Sequence, residues 1–129
     1  MKALTALIVD DSSVMRKIVE RSLRQAGVEL AKVLEAENGL EALGVLRSSQ
    51  VDVVFSDINM PVMDGLEFVR QLQAVEGGKK VPVMMITTEG SESRVVEALS
   101  LGARGYLRKP FTPEQIRQQM APLLKEVAP

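Results

Sequence analysis

Hydrophobic positions in this chain come in short unbroken blocks that alternate with longer stretches of helical spacing. Leu4–Val9 is the first block and ends in Asp10-Asp11. Ser12 or Ser13 then offers a helix cap, and Met15, Val19, Leu23 and Ala26 recur at the interval of one helix face, with Val14 and Ile18 expected to widen the stripe. Gly27 is a natural stop. Lys32–Ala36 reads as a second strand, less apolar and therefore expected near a sheet edge. Asn38-x-x-Glu41 resembles a capping box before Leu40, Leu43 and Leu46. Val51–Ser56 reads as a third strand, covered on both faces because Val53, Val54 and Phe55 are uninterrupted by a polar residue.

Asp57 sits where that third strand should end, and Pro61 and Asp64-Gly65 mark the loop beyond it. Asp64-x-x-Glu67 caps a third helix carrying Leu66, Val69 and Leu72. Glu76-Gly77-Gly78-Lys79-Lys80 is a flexible connection; it lacks the spacing of a phosphate loop. Val81–Thr87 is the fourth strand, with Pro82 near its start. Ser91 can cap a fourth helix built on Val95, Val96 and Leu99 and ended by Gly102. Gly105–Arg108 is a short fifth strand, followed by Lys109-Pro110. Thr112-Pro113-Glu114-Gln115 opens the last helix, with Ile116, Met120, Leu123 and Val127 on its apolar stripe.

Strict strand–helix alternation predicts an α/β fold: a parallel sheet with helices on both faces and right-handed crossovers. The 129 residues fit one domain, 1–129 with a core of about 4–127, and no output domain is expected after the fifth helix. A formal net charge of -1 and the lack of a basic run give no sign of a nucleic-acid or membrane partner. The apolar blocks are far shorter than a membrane span, and no signal-peptide pattern opens the chain, so a cytoplasmic location is expected. The absence of Cys and His has more consequence. It excludes disulfides, thiolate nucleophiles, Cys-ligated zinc and imidazole acid–base catalysis. Carboxylates, lysines, hydroxyls and backbone are what remains for chemistry.

In a parallel α/β sheet, ligands bind at the carboxyl ends of the strands. Those ends carry Asp10 and Asp11, then Asp57, then Thr87 and Thr88, then Lys109. Singly, each has a plain reading: a turn-forming aspartate, a charged helix start, a β-branched strand residue, a solvated lysine. Jointly, they place polar groups at the ends of four strands. Three converging carboxylates repel one another unless something neutralises them. Lys109 offers one positive charge, and a hard divalent cation with oxygen ligands, such as Mg2+, offers two more. A cation held there would also favour phosphate.

Taken together, Val9-Asp10-Asp11-Ser12, Asp57-Ile58-Asn59-Met60-Pro61 with Asp64-Gly65, Ile86-Thr87-Thr88-Glu89, and Gly102-Ala103-x-Gly105-Tyr106 running into Lys109-Pro110-Phe111 resemble the receiver domain of bacterial two-component response regulators, in its single-domain CheY-like form. The resemblance runs the length of the chain in the family's order. It implies a flavodoxin-like (βα)5 three-layer sandwich with strand order 2-1-3-4-5. It further implies that Asp57 accepts a phosphoryl group from a phosphohistidine on a sensor histidine kinase or phosphotransfer protein, with Mg2+ as cofactor. Asp11, Asp57 and the backbone carbonyl of Asn59 would hold the ion directly, and Asp10 through water. Lys109 would pair with a phosphoryl oxygen, Thr87 would move to bond another, and Tyr106 would swing inward behind it. Asn59 and Glu89 would set the lifetime of the phosphoryl group, and Lys109-Pro110 would be a cis peptide. A downstream protein would read the face of the fourth helix, fifth strand and fifth helix, in chemotaxis or another relay. The chain would thus be a switch that catalyses its own phosphorylation and dephosphorylation and not an enzyme acting on other molecules.

Three departures bear on that expectation. Thr88 stands where many relatives carry a smaller Ala, and Glu92 and Gln119 stand where motor-binding regulators are often basic. Two other classes compete. One is a Mg2+-dependent aspartyl-phosphate phosphatase acting on small phosphoesters, whose Asp-x-Asp motif is here Asp57-x-Asn59. The other is a flavin-binding module, disfavoured because Asp10-Asp11 put negative charge where donors to a phosphate are needed.

Overall fold

A computed structural model of the chain describes residues 3–75, 80–87 and 92–127. Ten elements alternate in order: β1 (Leu4–Val9), α1 (Ser13–Gln25), β2 (Leu30–Ala36), α2 (Gly39–Ser48), β3 (Val53–Asp57), α3 (Gly65–Ala74), β4 (Val83–Thr87), α4 (Glu92–Leu101), β5 (Gly105–Arg108) and α5 (Pro113–Val127). The five strands form one parallel sheet in the order β2-β1-β3-β4-β5. The expected α/β class and strand order are therefore those of the molecule, and β2 lies at an edge as its polar residues require.

Two cores cover the sheet, because successive strand side chains point to opposite faces. Ala6, Ile8, Val53, Phe55, Met84, Ile86 and Leu107 pack under Val19 and Leu23 of α1 and Ile116, Met120 and Leu123 of α5. Leu7, Val9, Val54 and Met85 pack on the other side with Leu43 of α2, Phe68 and Leu72 of α3 and Ala98 of α4. The charged and polar strand-end residues are left at one rim of this sandwich.

Several boundaries differ from those read in the sequence. β2 begins at Leu30, because Leu30 pairs with Leu4 before an irregularity brings Lys32 opposite Thr5. β3 begins at Val53 and takes in Asp57; Asp52 instead receives the Thr5 amide on its carboxylate at 2.8 Å. β4 begins at Val83, since Pro82 has no amide to offer the ladder. Val14 and Ile18 do not widen the α1 stripe: Val14 is 67% exposed and Ile18 is also on the surface. Leu40, Val96 and Leu99 are likewise exposed, while Ala42 and Ala98 hold the buried positions. Each helix has room for one buried stripe, taken by Val19 and Leu23 in α1, Ala42 and Leu43 in α2 and Val95 and Ala98 in α4.

The caps follow the sequence. Ser12, not Ser13, caps α1 by accepting the Met15 amide at 3.2 Å. Asn38 and Asp64 accept the Glu41 and Glu67 amides at 2.8 and 2.9 Å. Thr112 and Gln115 exchange side-chain-to-amide bonds of 3.1 and 2.9 Å, a reciprocal capping box. The cap at Ser91 and the connection at 76–79 lie outside the described residues.

Two backbone features place the β3–α3 segment. Gly65 sits so close to the end of β3 that an added Cβ would collide with the Asp57 carbonyl oxygen and stand 3.0 Å from the Ile58 Cα. Its amide donates to the Ile58 carbonyl at 2.8 Å. Val62 has φ of 69° within a tight turn in which the Met63 amide donates to Pro61 O at 2.7 Å. A β-branched residue is strained in that region. Gly65→Ala is expected to destabilise the fold by about 1–3 kcal/mol through backbone displacement. Val62→Gly is expected to stabilise it by about 1 kcal/mol, since glycine takes positive φ without a Cβ clash. Urea denaturation of both variants checks the pair; equal midpoints for wild type and Gly65→Ala would contradict the close approach.

Candidate functional site

Strand register brings the site together. Val9 lies opposite Ser56, so Asp10 emerges beside Asp57. Asp57 lies opposite Ile86, which places Thr87 next to it on the far side. Thr87 lies opposite Arg108, so Lys109 follows at the same rim. The Lys109 amide also donates to the Thr87 carbonyl at 2.8 Å, which extends the ladder past β5.

Asp10, Asp11 and Asp57 each offer a carboxylate oxygen within 4.8 Å of the others. Asp10 is buried, Asp57 half-buried and Asp11 exposed. Asp10 is already committed: one carboxylate oxygen accepts the Ser12 amide at 2.9 Å and the other accepts Lys109 Nζ at 3.2 Å. That pair is nearly enclosed, with side chains 11% exposed for Lys109 and 5% for Asp10. Asp57 accepts the amide of Ile58 at 2.7 Å. Burial pushes the Asp57 carboxyl above the usual carboxylate range; Lys109 and the amides of Ile58 and Asn59 pull the other way, and the negative Asp10 adds to the rise. A site that holds a carboxylate at such a cost suits a bound cation. The donors are all hard oxygens, with one exposed acid open to solvent, which fits a small divalent ion.

Thr87 is fully buried at the end of β4. Tyr106, on β5, is 37% exposed and so points away from the core. Asn59 is exposed in the loop after β3. Lys109-Pro110 is cis, as the resemblance implies. Thr88 and Glu89 lie outside the described residues, as does the side chain of Glu92; Gln119 is half-buried on α5. The expected residues at 10, 11, 57 and 109 are thus brought together, whereas Tyr106 stands apart from them.

Two residues of this rim escaped the sequence reading. Arg16 donates from Nη1 to the Asp10 carbonyl at 2.6 Å and from Nε to Glu35 at 2.8 Å. The hydrogen bond from Arg16, assisted by Lys17, holds the Glu35 carboxyl below its usual range. Arg16 therefore braces the turn that carries the acidic pair to the edge strand β2. Arg94, on α4, pairs with Asp64 of the α3 cap at 3.7 Å. Both are arginines on polar helix faces, and no pattern of neighbours in the sequence distinguishes them from solvated ones.

The family described as the response regulator receiver domain matches residues 6–121. A chemotaxis protein CheY homolog of Campylobacter jejuni is 41% identical over 119 residues, covering 92% of this chain and 90% of its own. Chemotaxis protein CheY1 of a Helicobacter pylori strain is 42% identical over 119 residues, covering 92% and 94%. Among solved structures, the chemotaxis response regulator CheY4 of Vibrio cholerae superposes with a TM-score of 0.80 at 39% identity, covering 95% of this chain and all of that one. A response regulator structure from Chloroflexus aurantiacus gives a TM-score of 0.84 at 31% identity, covering 96% and 99%. With its sheet order, its acidic rim and this coverage, the chain belongs to the response regulator receiver domain family of signalling switches.

Proposed function

We propose that this chain is a stand-alone, Mg2+-dependent phosphoacceptor switch whose nucleophile is Asp57. The observation that carries the reading is the meeting of three carboxylates with a nearly enclosed lysine at the carboxyl edge of a parallel sheet. The donor would be a phosphohistidine on a sensor kinase or phosphotransfer protein. Asp11, Asp57 and the Asn59 carbonyl would hold Mg2+. Asp10, with its two carboxylate oxygens engaged by Ser12 and Lys109, would act through water. When bound, the ion supplies charge neutralisation for a transferring phosphoryl group.

The chain's own groups do the rest. Phosphoryl transfer requires an aligned nucleophile and compensation of charge more than covalent steps by other side chains. Asp57 is fixed by its bond to the Ile58 amide and by the Gly65 approach beneath it. A phosphoryl group on Asp57 carries more negative charge than the carboxylate it replaces. Lys109 then has a stronger partner than Asp10, and Thr87, at the neighbouring strand end, is drawn toward a phosphoryl oxygen. Movement of Thr87 leaves room for the outward Tyr106 to turn in. The exposed Val96, Leu99 and Tyr106 share the α4–β5–α5 side, so the change would be read there by a downstream protein. Asn59 and Glu89 would set the lifetime of the acyl phosphate by their access to water. The named relatives are chemotaxis proteins, which favours a chemotaxis-like pathway or a related relay in the cytoplasm. The phosphatase alternative gains no support, since Asn59 cannot serve as the second acid.

Intact-mass measurement after incubation with phosphoramidate and Mg2+ should show one added phosphoryl group on wild type and none at the same rate on Asp57→Asn. An unmodified wild type would reject the reading. The same variant tests the electrostatics. A carboxyl whose folded-state pKa is raised penalises the fold when ionised. The penalty is complete above the raised pKa and vanishes as pH falls below the unfolded value. In chelator-treated buffer at neutral pH, Asp57→Asn should therefore melt higher than wild type, at about 4 °C for each kcal/mol relieved. The advantage should disappear on acidification. A lower melting temperature for the variant at neutral pH would show that the charge is not costly.

A further inference from the structure

A cleft of about 370 Å3 opens beside the acidic rim, lined by Asp11, Asn59, Met60, Pro61, Asp64 and Arg94. Arg94 is its one cationic lining residue among those described. Its guanidinium reaches Asp64 at 3.7 Å, beyond hydrogen-bonding range, and the two side chains are 34% and 40% exposed. Such a pair is loose and readily exchanged for another anion. The Arg94 Nε is moreover buried, and among the described residues it has no hydrogen-bond acceptor. That buried nitrogen leaves the terminal nitrogens as the groups able to meet a ligand. The cleft adjoins Asp11, which clusters with the proposed nucleophile Asp57.

We propose that Arg94 is a specificity-determining residue for the phosphodonor, binding the anionic leaving group of an acyl phosphate in this cleft. The inference rests on the reading of Asp57 as phosphoacceptor and adds to it a site for the departing half of the donor. In-line displacement places the leaving group on the side of phosphorus away from Asp57. An Asp57 carboxylate oxygen forms the new O–P bond while the bond from phosphorus to the acyl oxygen breaks. The electron pair departs with that oxygen, and the product is a carboxylate that needs no proton. Its developing charge meets the Arg94 guanidinium, whose terminal nitrogens can donate to a carboxylate in place of Asp64. With phosphoramidate, the bond from phosphorus to nitrogen breaks and the nitrogen leaves with its three protons as neutral ammonia. Arg94 then has no charge to stabilise. Asp64 competes for the guanidinium at rest, so it restrains the acyl-phosphate reaction.

The test measures phosphorylation rates by intact mass with acetyl phosphate and with phosphoramidate, at fixed Mg2+ and ionic strength. Arg94→Ala should lose roughly tenfold with acetyl phosphate, the worth of one hydrogen bond to a charged group. Its rate with phosphoramidate should match wild type, which also shows that the variant is folded and its site intact. Arg94→Lys should recover part of the loss. Asp64→Asn, which keeps an oxygen to cap α3, should react faster than wild type with acetyl phosphate alone. Equal losses with both donors, or no loss with either, would overturn the role of Arg94 while leaving Asp57 as phosphoacceptor. Failure of wild type to react with either donor would overturn both.

Discussion

Lys109 and Asp10 meet across the rim of the sheet, 99 residues apart in sequence and almost shut off from water. That contact is the constraint on which the site depends. Removing one partner from a buried pair leaves an uncompensated charge, which costs far more than the pair gains by forming. β1 and β5 must therefore end at the same level, which the register through β3 and β4 achieves. The pair neutralises only one of three negative charges. Asp11 and Asp57 remain, and burial already acts against ionisation of Asp57. The protein's own groups therefore leave the rim with an excess of negative charge, on a sheet packed between two hydrophobic cores.

An imbalance of this kind makes a switch possible without large rearrangement. Lys109 is held by a single carboxylate oxygen, Thr87 is buried at the adjacent strand end and Tyr106 faces outward. Under the proposed phosphorylation of Asp57, Lys109 would gain a second partner and Thr87 and Tyr106 would move toward the site. Arg16 ties the Asp10 carbonyl to Glu35 on β2 and so braces the side of the site opposite β5. The proposed response would then be directed toward β4, α4 and β5, where Val96, Leu99 and Tyr106 present apolar surface.

The fold was legible in the sequence because alternation of strand blocks and helical stripes has few topological solutions. Asp10, Asp11, Asp57 and Lys109 were legible for a related reason: polar groups placed at the ends of apolar blocks have one rim to occupy. What was not legible depends on depth and distance. Val14, Ile18, Leu40, Val96 and Leu99 fit helical stripes, yet Val19 and Leu23 in α1, Ala42 and Leu43 in α2 and Val95 and Ala98 in α4 take the buried positions and leave them outward. Strand starts were missed at Leu30, Val53 and Val83, where pairing with a neighbour and not local composition sets the first ladder bond. Arg16 and Arg94 were invisible because their partners, the Asp10 carbonyl with Glu35 and the Asp64 carboxylate, come from other elements.

A divalent cation held by Asp11 and Asp57 would complete the acidic rim. Calorimetric titration of chelator-treated protein with Mg2+ should show one saturable site per chain, abolished in Asp11→Asn and in Asp57→Asn. Heat of dilution alone for the wild type, or binding that survives both substitutions, would contradict it.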